Sequence, residues 1–336
     1  MGSLAGVLGQ CRSLAHLALS TNMIRDEGAG RLAGVLGQCR SLSHLDLGYN
    51  SIRDGGVERL AGVLVQCGSL AHLDLCQNSF GDDGAERLAE VLCQCDSLAH
   101  LNLAGNAIRG EGAGRLSEVL GQCSFLNHLD LSFNLITNQG VETLAQMLGQ
   151  YSSLDHLNLC GIEIGDRGAE RLAEGLGQCR SLVHLSFYGN SIGDQGVGRI
   201  AEVLDLCVSL SHLYLGSNRI RDEGAGRLAV VLGQCESLVH LDLSYNLIRI
   251  QGAGRLALVL GQCRLLARLD LSDNWIGAEG WKMLKAADWV GRIFGEVVEE
   301  NGDEGDEGDG SEYEGEDEDR EMGEDDEDNA GQDEEE

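Results

Sequence analysis

A 28-residue unit repeats ten times along this chain, from near residue 1 to about residue 280, and nothing else in the sequence restricts the fold as strongly. One copy runs Leu14-Ala-His-Leu-Ala-Leu-Ser-Thr-Asn22-Met-Ile-Arg-Asp-Glu-Gly28, then Ala-Gly-Arg-Leu-Ala-Gly-Val-Leu36-Gly-Gln-Cys39. The asparagine recurs at positions 22, 50, 78, 106, 134, 190, 218, 246 and 274, and Ile162 takes the remaining place. A unit of this length cannot bury its apolar face alone. Neighbouring copies must stack, which builds a solenoid rather than a globular enzyme core.

Each copy divides into a strand and a helix. In His16-Leu17-Ala18-Leu19 the period-2 alternation sends Leu17 and Leu19 to one face and His16 and Ala18 to the other. Leu14 and Ile24 enter the core on either side of that strand. Asn22 falls where the strand ends, and its amide can satisfy backbone groups of the turn. Stacked copies therefore predict an asparagine ladder, with one rung missing and a weaker turn at Ile162. Asp26 and Glu27 favour the positive end of a helix, Gly28 is read as permitting a close turn, and Leu32, Val35 and Leu36 supply the apolar stripe. Gly30 and Gly34 weaken this helix in isolation, so packing must hold it. Strands repeat every ~4.8 Å whereas packed helices need ~8–10 Å. The stack is expected to bend into a horseshoe, with a concave parallel sheet of ten strands and convex helices.

The run Leu-x-x-Leu-x-Leu-x-x-Asn-x-Ile resembles the leucine-rich repeat signature. The 28-residue helical form resembles the ribonuclease-inhibitor class, which includes the repeat domains of NOD-like receptors and Ran GTPase-activating proteins. The resemblance covers residues 1–280 and implies an α/β leucine-rich-repeat horseshoe; it is specific for fold and weak for function.

Composition sets the boundaries. From Glu299 to Glu336 there are 23 acidic residues and one base, Arg320, a net charge of −22 out of −31, which leaves −9 for residues 1–298. This tail has almost no apolar residues to offset its ordering entropy and is expected to be disordered. It reads either as a solvating segment or as a polyanion attracting basic partners, and its charge argues against nucleic-acid binding. The expected divisions are a solenoid over 1–280, a capping helix over 281–298 and the tail over 299–336. Trp275, Trp281, Trp289 and Phe294 are expected to seal the last coil. The chain opens on the tail end of a repeat helix, so it starts mid-coil, with an upstream portion missing or the first coil frayed. No signal peptide or membrane span is read, and the expectation is a cytoplasmic or nuclear monomer.

Nine of the twelve cysteines share one column, at 11, 39, 67, 95, 123, 179, 207, 235 and 263, with Tyr151 in the remaining copy. A column is a structural position, read as buried thiols at a corner of the coil in a reducing compartment. Proline is absent, and Arg12, Arg40, Arg180 and Arg264 stand where related repeats often place it.

All nine histidines also share one column, His16 through His240, with Arg268 in the tenth copy. The neighbouring column reads Ala18, Asp46, Asp74, Asn102, Asp130, Asn158, Ser186, Tyr214, Asp242, Asp270. Histidine beside carboxylate on adjacent strands suits zinc, acid–base chemistry or shared titration near neutral pH. A catalytic or metal site breaks symmetry, however, and this ladder does not. It is read as scaffold, with no catalytic residue, metal or cofactor assigned.

Recognition is expected where copies differ. Tyr49, Phe133, Tyr188 and Tyr245 lie one or two positions before the ladder asparagine, and Tyr214 interrupts the acidic column. Tyr188, Tyr214 and Tyr245 fall in three consecutive repeats, beside His184, His212 and His240 and flanked by Asp242, Asp270 and Asp273. That is an aromatic–acidic patch suited to a basic protein partner; the competing reading is surface aromatics filling grooves between coils. The leading function is a non-enzymatic interaction scaffold using its concave face. Repeats followed by an acidic tail also resemble Ran GTPase-activating proteins, which implies a small GTPase as partner. Of the positions matching that family's catalytic arginine only Arg219 is an arginine, late in the array and without the family's longer early loop, so Arg219 is carried as a GTPase contact. The third reading is the sensor portion of a NOD-like receptor.

Overall fold

The computed structural model describes residues 8, 11, 13–92, 94–287 and 289–295. The acidic tail lies outside the described residues, as do the opening residues 1–7. Each repeat contributes a three-residue strand, from β1 (His16–Ala18) to β10 (Arg268–Asp270), followed by a helix, from α1 (Arg25–Leu36) to α10 (Gly277–Ala286). The strands form one parallel sheet in sequence order, and the 28-residue period becomes the register: His44 pairs with His72 and Leu45 with Leu73. The middle residue of each strand points into the core. Leu42, Leu45, Leu47 and Ile52 of one repeat are wholly buried, and Val57, Leu60 and Leu64 of its helix close the coil from the other side. The His and Asp positions lie on the open face of the sheet, half-buried.

The asparagine ladder forms as chemistry requires. Asn218 Nδ2 donates to Leu215 and Gly216 of its own turn and to Phe187 of the preceding one, at 2.9–3.1 Å. Its Oδ1 accepts the Ile192 N–H at 2.9 Å. Ile162 has no polar atom for these roles, although its own N–H and that of Ile164 still reach Asn190 Oδ1, each at 3.2 Å.

Asp26 and its equivalents act on the next helix rather than their own. Asp222 Oδ1 accepts N–H groups from Arg249 at 2.7 Å and Gly252 at 2.8 Å. Asp194 does the same for Arg221 and Gly224, both at 2.8 Å. This is N-capping delivered across the repeat boundary, with a carboxylate at the positive end of the helix. It also corrects the reading of the Gly28 column as a turn. These glycines sit inside helices, and a Cβ on Gly252 would lie 2.7 Å from Asp222 Oδ1 and 3.0 Å from its Cα. Where the preceding repeat lacks this aspartate, at Gly110 and Ile250, the next helix starts differently. Thr137 and Gly277 there adopt left-handed φ of 60° and 66°.

The C-terminal seal differs from the expected helix over 281–298. Helix α10 ends at Ala286, and the chain then adds β11 (Arg292–Phe294) beside β10, so the sheet has eleven strands among the described residues instead of the ten expected. The open edge of β10 offers unpaired backbone groups, and an extended Arg-Ile-Phe segment satisfies them better than a helix would. Trp281 is buried, Trp289 Nε1 donates to the Leu266 carbonyl at 3.1 Å, and the Arg268 guanidinium lies 4.1 Å from the Phe294 ring centre. Trp275 takes no part in the seal; it stands 71% exposed on the last asparagine turn.

The cysteine column closes the descending corner. Cys67 and Cys207 donate their thiols to the Leu36 and Leu176 carbonyls of the preceding repeats, each at 3.6 Å. Burial, with smaller effects from neighbouring thiols, pushes the Cys207 pKa up to about 12, so this thiol stays protonated and unreactive. Among the described residues no helix is long and apolar enough to cross a membrane.

Candidate functional site

On the open face the histidine rings stack in a column. Ring centres are 4.0 Å apart for His44–His72, His72–His100, His100–His128 and His156–His184, and 4.2 Å for His184–His212. Burial, reinforced by neighbouring imidazoles, lowers the pKa of His100 and His184 to about 4. His72, His128, His212 and His240 are lowered for the same leading reason, with Asp74, Asp130 and Asp242 opposing the shift at His72, His128 and His240 respectively. For these six histidines titration is displaced downward from neutral pH, because each of these rings must be charged away from water and beside another positive group.

An unfolded histidine binds its proton near 6.5 and the folded His100 and His184 near 4, so acid favours the unfolded chain between these values. This stability is fully present above pH 6.5 and is lost as pH falls toward 4. Thermal melts across that window should show a falling Tm, and His100→Gln with His184→Gln should flatten the fall. An equally steep fall in the double variant would contradict the assignment.

The same geometry bears on the zinc and acid–base readings. Rings stacked within about 20° of parallel hold their in-plane lone pairs side by side, so they do not converge on one ion. The carboxylates are partly committed as well: Asp74, Asp130, Asp242 and Asp270 each accept the N–H two residues ahead, closing the strand into its turn. Among the described residues no group of three or more His, Cys, Asp or Glu side chains is placed to hold a metal.

The aromatic residues divide between two settings. Tyr214 lies on the sheet face, its ring centre 5.1 Å from that of His240 and 6.5 Å from that of His212. Tyr188 lies across Gly216 of the next repeat, where an added Cβ would come within 2.8 Å of its ring. Tyr49, Phe133 and Tyr245 project from the asparagine turns and are more than half exposed. The Tyr245 hydroxyl bonds to Asp273, which raises its pKa, and Tyr188 and Asp270 add smaller effects. Tyr188, Tyr214, Tyr245 and the His184–His240 stretch thus share one end of the array. Tyr49 and Phe133 stand apart from it along the same turns. Arg219 is exposed on the turn of Tyr214's repeat.

Tyr49, Phe133 and Tyr245 all have left-handed φ, 57°, 53° and 52°, a conformation that bulky side chains disfavour. Gly105, Gly161 and Gly189 fill the same turn position in other repeats. Tyr245→Gly should therefore raise stability by about 0.5–1 kcal/mol in denaturant unfolding. A loss of stability would mean that the ring is held there by packing.

Sequence reasoning missed the residues two places further on. Leu135, Leu247 and Trp275 are exposed in a column that elsewhere holds mainly small or polar residues, and their appearance there was the available signal.

A sequence profile described as Leucine Rich repeat matches residues 10–33, 38–61, 66–89, 94–117, 122–145, 178–201, 206–229 and 262–285, together more than half of the chain. The chain belongs to the leucine-rich repeat family. The leucine-rich repeat fold is also that of two solved structures. One is the yeast Rad7–Elc1 complex, with TM-score 0.56, 16% identity, 84% of this chain covered and 70% of that one. The other is the mouse RP105/MD-1 complex, with TM-score 0.52 and 19% identity over 80% of this chain and 43% of that one. No curated protein sequence matches this leucine-rich repeat chain.

Proposed function

We propose that this leucine-rich repeat chain is a non-enzymatic scaffold that binds a protein partner on the open, concave face of its sheet. The observation that carries the reading is the break at Tyr214. Over strands β1 to β10 the column beside the imidazoles holds small or polar side chains except for one aromatic ring, which lies 5.1 Å from the His240 ring and in register with Asp242. Aromatic side chains on a preformed surface bury large area at little entropic cost and anchor interfaces. Asp242, Asp270 and Asp273 around it favour a basic partner. Both structural neighbours come from complexes with another protein, which supports a protein ligand in general terms.

The test is affinity capture with the full-length chain, followed by titration of each captured protein against Tyr188→Ala, Tyr214→Ala and Tyr245→Ala combined. The reading expects a loss of ~100-fold or more with an unchanged melting curve, on the scale of hot-spot truncations. Partners bound as tightly by the triple variant as by the parent would reject it.

A further inference from the structure

The asparagine turns carry a second surface whose chemistry is unlike that of the sheet. Arg25, Arg53, Arg109, Arg219, Arg221 and Arg249 are all exposed there, and among the described residues none of them forms an ion pair. In the helix column Arg31, Arg87, Arg115, Arg171, Arg199 and Arg227 each bind a glutamate, whereas Arg59 and Arg255 donate to the Asp26 and Asp222 carbonyls. Five of the turn arginines, Arg25, Arg53, Arg109, Arg221 and Arg249, recur at one repeat position and set exposed guanidiniums along one edge. Its apolar side chains are exposed too. Leu247 and Trp275, the latter 71% exposed, line a groove of about 590 Å³ together with Arg221 and Arg249.

The groove's carboxylates are already engaged. Asp194 and Asp222 hold backbone N–H groups of the following helices, and Glu223 binds Arg227 at 2.6 Å. The Arg221 and Arg249 guanidiniums, by contrast, form no ion pair among the described residues and face solvent. We propose that this edge is a docking surface for an acidic segment of a protein partner, with carboxylates meeting Arg219, Arg221 and Arg249 and an apolar side chain seated between Leu247 and Trp275. Unpaired arginine beside tryptophan is the composition of an interface anchor, and the charge selects an acidic occupant. The proposal shares no residue with the sheet-face site and opposes it in charge preference, so either can fail alone.

The experiment is selection of a displayed random-peptide library on the full-length protein. A parallel selection uses the exposed charge-reversal variant Arg219→Glu/Arg221→Glu/Arg249→Glu, with a thermal melt confirming its fold. The parent should enrich peptides of net negative charge containing Leu, Phe or Trp. The best of these, synthesised and followed by fluorescence anisotropy, should lose ~10-fold or more in affinity on charge reversal and on Leu247→Ser/Trp275→Ser. It should bind Tyr214→Ala as it binds the parent. Enrichment of basic peptides, equal binding to the edge variants, or tighter binding of a single-stranded oligonucleotide than of the selected peptide would each overturn the proposal.

Discussion

Leu129→Asp is expected to unfold the middle of the array. Leu129 is the central residue of its strand, 1% exposed, and is paired in register with Leu101 on one side and Leu157 on the other. A carboxylate there has no partner, and burying one unpaired costs several kcal/mol. In a solenoid the penalty also removes the contacts that both neighbouring repeats need, so the loss should be about 4 kcal/mol or more, with the single unfolding transition split in two. Asn127→Asp, two residues earlier and exposed, adds the same charge and should cost less than about 0.5 kcal/mol. Equal losses in the two variants would show that the strand phase is wrong.

Asn218→Leu is the second large effect. The side chain is of similar size, but three carbonyls and the Ile192 N–H lose their partner in a buried turn. Unmade buried hydrogen bonds cost ~1–3 kcal/mol each when water cannot replace them. Partial hydration of the turn reduces the sum, so about 3 kcal/mol is expected from denaturant unfolding. The natural Ile162 rung shows that one such gap is compatible with folding, so the variant should fold with a lowered midpoint. A change below about 0.5 kcal/mol would mean that the ladder is geometric rather than energetic.

The strand phase, the leucine columns and the asparagine ladder were legible in the sequence because each depends on spacing alone. Leu45 alternates with His44 and Asp46, and one period later the same faces recur, so register and burial follow together. The role of Asp222 was not legible. Read locally, an aspartate at a helix start serves its own helix, and only the stacked coil brings its Oδ1 to Gly252 of the next repeat. Strand β11 was missed because three residues in a tryptophan-rich segment carry little periodicity, and the open edge that recruits them exists only after folding. The histidines were placed on the correct face, but their depressed pKa values depend on ring spacings near 4.0 Å that composition does not encode. Tyr214 was identified as the aromatic break, whereas Trp275 was assigned to the core on clustering alone and lies on the turn edge instead.

On the proposed function, a bound partner covers the sheet face and its adjoining turns and leaves the helices on the opposite side free. Hydroxyl-radical footprinting of the full-length chain, free and bound to a captured partner, tests it most directly. The helical side supplies an internal control, because Val230 and Leu258 are 71% and 79% exposed and label readily. Labelling of Tyr214 and Tyr245 should fall on binding, with Val230 and Leu258 unchanged. Protection of Val230 and Leu258 while Tyr214 labels at its free rate would contradict it.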